Sequence, residues 1–171
     1  LKNPGVIKVF GLLGPRILGQ TAFHINIVAL RAFASFGGSV MVTTLEYSYR
    51  LFNLPLGLLG ISVGTVSFPT LSVFANRKDW TNYGVTLKQV FRVVLFLAIP
   101  IAAGLFALRF EIIRILYERG RFDPAATEVT ARFFMFFLIG LPLCCITEVA
   151  VRAFYSVHNT RTPVIVGILT V

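Results

Sequence analysis

Long apolar runs interrupted by short charged ones set the pattern of this chain. Apolar stretches of bilayer-crossing length occupy about Val9 to Ala34, Val40 to Phe74, Leu87 to Leu108 and Glu128 to Val157. A fifth begins at Pro163 and runs to Val171. The breaks are a small-residue turn, Ser35-Phe36-Gly37-Gly38-Ser39, a polar loop over Ala75 to Thr86, and the turn His158 to Thr162. Between the third and fourth runs, FEIIRILYERGRFDPAAT mixes Ile, Leu and Phe with arginine and glutamate, which predicts a short interfacial helix followed by a turn at Gly120. Pro100 and Gly104 are expected to kink the third segment, as neighbouring helices allow. The predicted fold is all-α, a polytopic membrane helix bundle.

The most informative run is LEYSYRLFNLPLGLLGISVGTVSFPTLSVFANR, Leu45 to Arg77. On a regular helix, Glu46, Arg50, Asn53, Gly57, Gly60 and Gly64 fall at about 0, 40, −20, 20, −40 and 0 degrees, one stripe roughly 80° wide. Glu46 precedes Arg50 by one turn, the favourable order for an ion pair. Two readings stand. Glycine stripes let membrane helices pack closely, with the Glu–Arg pair neutralising itself. Ionisable groups inside a membrane are costly and mark cavities, so the stripe also reads as the wall of one.

Further polar sets lie in the other segments. Arg16, Gln20, His24 and Arg31 lie at about 0, 40, 80 and 60 degrees, a second polar stripe. It faces other helices or water, or else Arg16 and Arg31 snorkel to opposite interfaces. His24 reads as a structural histidine or a proton-coupling group. Glu148 and Arg152 repeat the i, i+4 spacing and read as a self-neutralising pair near a helix end.

Composition narrows the class. Hydrophobic residues make up 56% and charged residues 13%, with a mean hydropathy of +0.81, whereas soluble domains carry about 25% charged residues. The net charge of +9 is scattered among apolar spans, which argues against a nucleic-acid partner and fits loop bias in a membrane protein. The first end, the Arg77 loop and the Arg161 turn gather Lys2, Lys8, Arg77, Lys78, Lys88, Arg92, Arg152 and Arg161 against Asp79, so that side is expected to be cytoplasmic. Adjacent Cys144 and Cys145 read as small buried hydrophobes without metal-ligand spacing. No Ser/His/Asp set, metal cluster or phosphate loop has workable spacing, so neither an enzyme nor a cofactor is expected. Leu1 is not Met, and the last residues are apolar, which suggests an internal stretch of a longer protein.

Four stretches carry a resemblance. YSYRLFNLPLGLLGISVGTVSFPTLS, HINIVALRAFASF, ILYERGRFDPAAT and VRAFYSVHNTRTPV follow, in order and spacing, motifs of the MurJ/MviN family of lipid II flippases. The resemblance implies part of a 14-helix, two-lobed transporter of the multidrug/oligosaccharidyl-lipid/polysaccharide exporter superfamily. Residues 1–171 would be about helices seven to ten and the start of eleven. It implies a multi-pass protein of the bacterial cytoplasmic membrane that moves undecaprenyl-pyrophosphate-linked peptidoglycan precursor to the outer leaflet by alternating access. Its partners would be that lipid-linked glycan and membrane lipids, with the coupling ion open. Arg50 matches the arginine of the family's Asp-Arg pair, a cavity position that would meet the pyrophosphate or a gating acid. The chain departs from the family at Tyr49, where the acid stands, and at Leu30, where another acid is common. Glu46, on the face of Arg50, is the candidate substitute. The substrate-binding candidates are Arg50, Glu46, Asn53, Arg16, Gln20 and Arg31. Two alternatives remain open: an exporter of another polyprenyl-linked glycan or a small cation, and a non-transporting membrane scaffold.

Overall fold

The computed structural model describes residues 28–29, 31–32, 34–36, 38–120 and 122–169. Arg16, Gln20, His24 and Leu30 lie outside the described residues. Among the described residues, six α-helices follow residues 28–36: α1 (Ser39–Leu56), α2 (Ser62–Asn76), α3 (Trp80–Ala107), α4 (Arg109–Tyr117), α5 (Pro124–Ser156) and α6 (Arg161–Leu169). Among the described residues no strand occurs. A single π turn, Gly57–Ile61, joins α1 to α2, so the helix continues from Val40 to Asn76. This helix, α3 and α5 are each long and apolar enough to cross a bilayer.

Helix starts fall where side chains replace the missing intrahelical acceptors. Asp79 Oδ1 accepts from the Asn82 N–H at 3.1 Å and its Oδ2 from Asn82 Nδ2 at 2.6 Å, so α3 begins at Trp80 rather than near Leu87. The polar loop expected over Ala75 to Thr86 shrinks to Arg77, Lys78 and Asp79. Asp123 caps Ala126 N–H at 2.8 Å ahead of Pro124, whose fixed φ suits a first helical turn. Helix α3 continues through Pro100 and α5 through Pro142. The turn expected at Gly120 is present, with φ +61.

Two helix ends share one geometry. Asp79 N–H reaches Phe74 C=O and Lys78 N–H reaches Ala75 C=O, both at 3.0 Å, with Lys78 at φ 55. Asn159 and His158 repeat this on Phe154 and Tyr155, again at 3.0 Å, with His158 at φ 59. These are Schellman closures with a non-glycine in the left-handed position. The Tyr83 hydroxyl donates to Ala153 C=O at 2.9 Å and links the start of α3 to the end of α5.

Helix α5 is the hub: α1, α2, α3 and α4 all pack on it. Its Phe134, Leu138, Leu141, Cys145 and Val149, each at most 1% exposed, recur every three or four residues and form the seam. Outward-facing Leu54, Val66, Phe96, Ile99 and Leu143 are all more than half exposed, as a bilayer-facing surface requires. Inside the bundle, hydroxyls bond to carbonyls: Ser48 Oγ lies 2.8 Å from both Thr44 O and Thr130 O.

Candidate functional site

The polar stripe of the Val40–Asn76 helix divides at the π turn. A π turn holds one residue more than a regular helix, so every later position lies about 100° behind its expected place. Gly60 and Gly64 are thereby separated from Glu46 and Arg50, and they face α5. A Cβ on Gly60 would lie 3.1 Å from Cys145 Cα, and one on Gly64 would lie 2.7 Å from Arg152 Cδ. The lower part of the stripe is therefore a packing seam, against the single-stripe expectation. Arg152 crosses Gly64 and pairs with Glu148 at 2.7 Å, the self-neutralising arrangement its spacing suggested.

The upper part opens on a cleft of about 550 Å³, lined by Arg31, Val42, Thr43, Glu46, Tyr47 and Arg50. Glu46 is its centre. One carboxylate oxygen accepts from Arg31 Nη2 at 2.6 Å and the other from Arg50 Nε at 3.2 Å. Two guanidiniums on one carboxylate leave a net positive charge, and the side chains of Arg31 and Arg50 are 48% and 69% exposed. Such a pair presents unused N–H donors to an anion. Asn53 stands on the same exposed flank, its Nδ2 donating to Tyr49 C=O at 2.7 Å.

Tyr49 does not join this cluster. Its ring packs against Phe137 at 6.0 Å, beside the core, so the carboxylate beside Arg50 comes from Glu46. Tyr47 does line the cleft. Its ring lies 4.6 Å from Tyr117 and meets Phe122 edge-on at 5.5 Å. Burial pushes the Tyr117 hydroxyl above its ordinary range and Tyr47 adds to this, while the charge of Arg50 pulls the other way. Thr43, Glu46, Tyr47 and Arg50 follow an i, i+3, i+4, i+7 series that the sequence already contains. Tyr117 ends α4 and Phe122 lies in the turn that follows, both far along the chain, and neither carries such a signal.

Among the described residues no group of His, Cys, Asp and Glu is arranged to hold a metal ion.

Comparison with known proteins agrees with this architecture. The profile of the family described as Lipid II flippase MurJ matches residues 1–171. A probable lipid II flippase MurJ of Vibrio cholerae is 33% identical over 98% of this chain and 32% of its own length. One of Bdellovibrio bacteriovorus is 32% identical over 99% of the chain and 32% of its length. The chain thus spans about a third of these relatives. A solved structure of a lipid II flippase MurJ in an inward closed conformation superposes with a TM-score of 0.66 at 34% identity, over 74% of this chain and 26% of that one. With all 171 residues matched and the helical bundle shared, the chain belongs to the lipid II flippase MurJ family.

Proposed function

We infer that this chain forms part of a multi-pass flippase of the bacterial cytoplasmic membrane. Its cargo is lipid II, the undecaprenyl-pyrophosphate-linked peptidoglycan precursor, carried from the inner to the outer leaflet by alternating access without a catalytic step. The observation that carries the reading is the pair of guanidiniums held on Glu46 at the mouth of the cleft. In a membrane, an exposed cation pair needs an anionic occupant or water. A diphosphate supplies oxygens for both arginines and displaces Glu46 as their partner. The Arg77 loop lies on the cytoplasmic side in this reading, following the excess of basic residues there.

Complementation in cells depleted of their own flippase tests the proposal. The full-length protein is expected to restore growth, Arg50→Ala to abolish it and Arg31→Ala to weaken it. Growth unchanged by Arg50→Ala sinks the reading. The tyrosine at position 49 favours one second reading, another polyprenyl-linked glycan as cargo. Purified protein that binds such a lipid more tightly than lipid II would establish it.

A further inference from the structure

The cleft lining includes an aromatic ring that the ion pairs on Glu46 leave unused. Tyr47 lies one helical turn before Arg50 and lines the same cleft. It is not a loose surface tyrosine. Tyr117, the last residue of α4, stacks at a 44° tilt with centroids 4.6 Å apart, and Phe122 closes the edge at 5.5 Å and 90°. Tyr117 and Phe122 also touch each other, at 6.2 Å.

The loop that brings these rings is itself fixed. Glu118 accepts from Thr127 Oγ1 at 2.9 Å, and Asp123 caps α5. Tyr47 is thus a half-buried ring, backed by two others, that lines a cationic cleft.

A rigid aromatic ring beside a diphosphate-binding arginine pair suits a particular chemistry. Pyranose rings carry an apolar face of C–H groups that stacks on aromatic side chains, and a backed ring stacks without losing rotamer freedom. We propose that Tyr47 is the platform for the first pyranose ring of a glycan joined to the diphosphate, with Tyr117 and Phe122 as its positioning residues. The proposal rests on the reading that Arg31 and Arg50 receive the diphosphate. It adds a subsite that reads the sugar, where the arginines read only charge.

Binding to two lipids separates the roles. Purified full-length protein in nanodiscs is titrated with a polyprenyl diphosphate bearing a sugar and with the same lipid lacking it. Tyr47→Leu is expected to weaken the glycosylated lipid about five- to tenfold, the scale of one aromatic contact, and to leave the sugar-free lipid unchanged. Tyr47→Phe keeps the parent affinities, and Tyr117→Ala shows a smaller loss of the same kind. Arg50→Ala weakens both lipids alike. Equal loss of both lipids with Tyr47→Leu, or no loss of either, overturns the subsite while the arginine reading stands. Failure of the parent to bind either lipid overturns both.

Discussion

Adding one methyl group at Gly60 and at Gly57 should move stability in opposite directions. Both glycines are helical, so replacing either by alanine removes the same backbone penalty, about 1 kcal/mol. What differs is the space. A Cβ at Gly57 meets nothing within 4 Å. A Cβ at Gly60 meets Cys145 Cα at 3.1 Å and Glu148 Cβ at 3.3 Å. The first of these is backbone and cannot rotate away, so the two helices must part by several tenths of an ångström. Leu59, Leu141, Cys145 and Val149, each at most 5% exposed, meet along that seam and lose contact together. Overpacking of this kind costs about 1–3 kcal/mol. Gly57→Ala is therefore expected to gain up to about 1 kcal/mol and Gly60→Ala to lose about 0–2 kcal/mol. The difference between them, about 1–3 kcal/mol, is the overlap alone, because the propensity gain cancels. Relatives of this chain are about three times its length, so one kcal/mol shifts melting by only about 1 °C, and the full-length variants in detergent should melt about 1–3 °C apart, with Gly57→Ala the higher. Equal melting temperatures, or Gly60→Ala the more stable, would refute the claim that this glycine exists for close approach.

The remaining predictions concern the Asp79 turn and the π turn. Hydrogen bonds from Asn82 hold the Asp79 carboxyl below its ordinary value of 3.8, so its contribution to stability is present above that value and lost as pH falls through the lowered one. Acid melting curves should show this loss in the parent and not in Asp79→Ser, which keeps a cap but does not titrate. Deletion of Leu58, a residue 72% exposed inside the π turn, is expected to leave a regular helix with Arg50 still in the cleft and Gly64 still on α5. Thiol labelling of Arg50→Cys and Gly64→Cys in the full-length deletion variant checks this, and a reversal of their accessibilities would contradict it.

What the chain reveals without coordinates follows from the range of each interaction. The apolar runs were legible because burial repeats with the helix period, and the Glu46–Arg50 pair because its partners are one turn apart. The start of α3 is hidden because Thr81 and Asn82 look like loop, although Asp79 followed three residues later by Asn82 is a capping pattern. Arg31 belongs to the preceding segment, and its bond to Glu46 across the intervening turn has no counterpart in spacing. Tyr117 and Phe122 reach Tyr47 only because α4 folds back against α5. Nothing local to LYERGRF predicts that contact.

The glycines depart from regular-helix geometry in a systematic way. Counting at 100° per residue put Gly64 directly above Glu46, yet one packs on α5 and the other faces the cleft. The buried positions of α1, such as Ser48 and Phe52, lie about 160° and 120° from Glu46, while Leu71 and Gly64 of α2 nominally lie beside it. A regular helix cannot bury both sets against one neighbour. The extra residue between Gly57 and Ile61 turns the second set back by about 100° and brings both onto α5. Its distorted ladder is locally satisfied, since Ser62 Oγ donates to Gly57 C=O at 3.0 Å. One irregular turn thus lets a single helix lock against its neighbour along its whole length and still hold Glu46, Arg50 and Asn53 clear of that contact. The charged face is free because the glycine face is not on the same side.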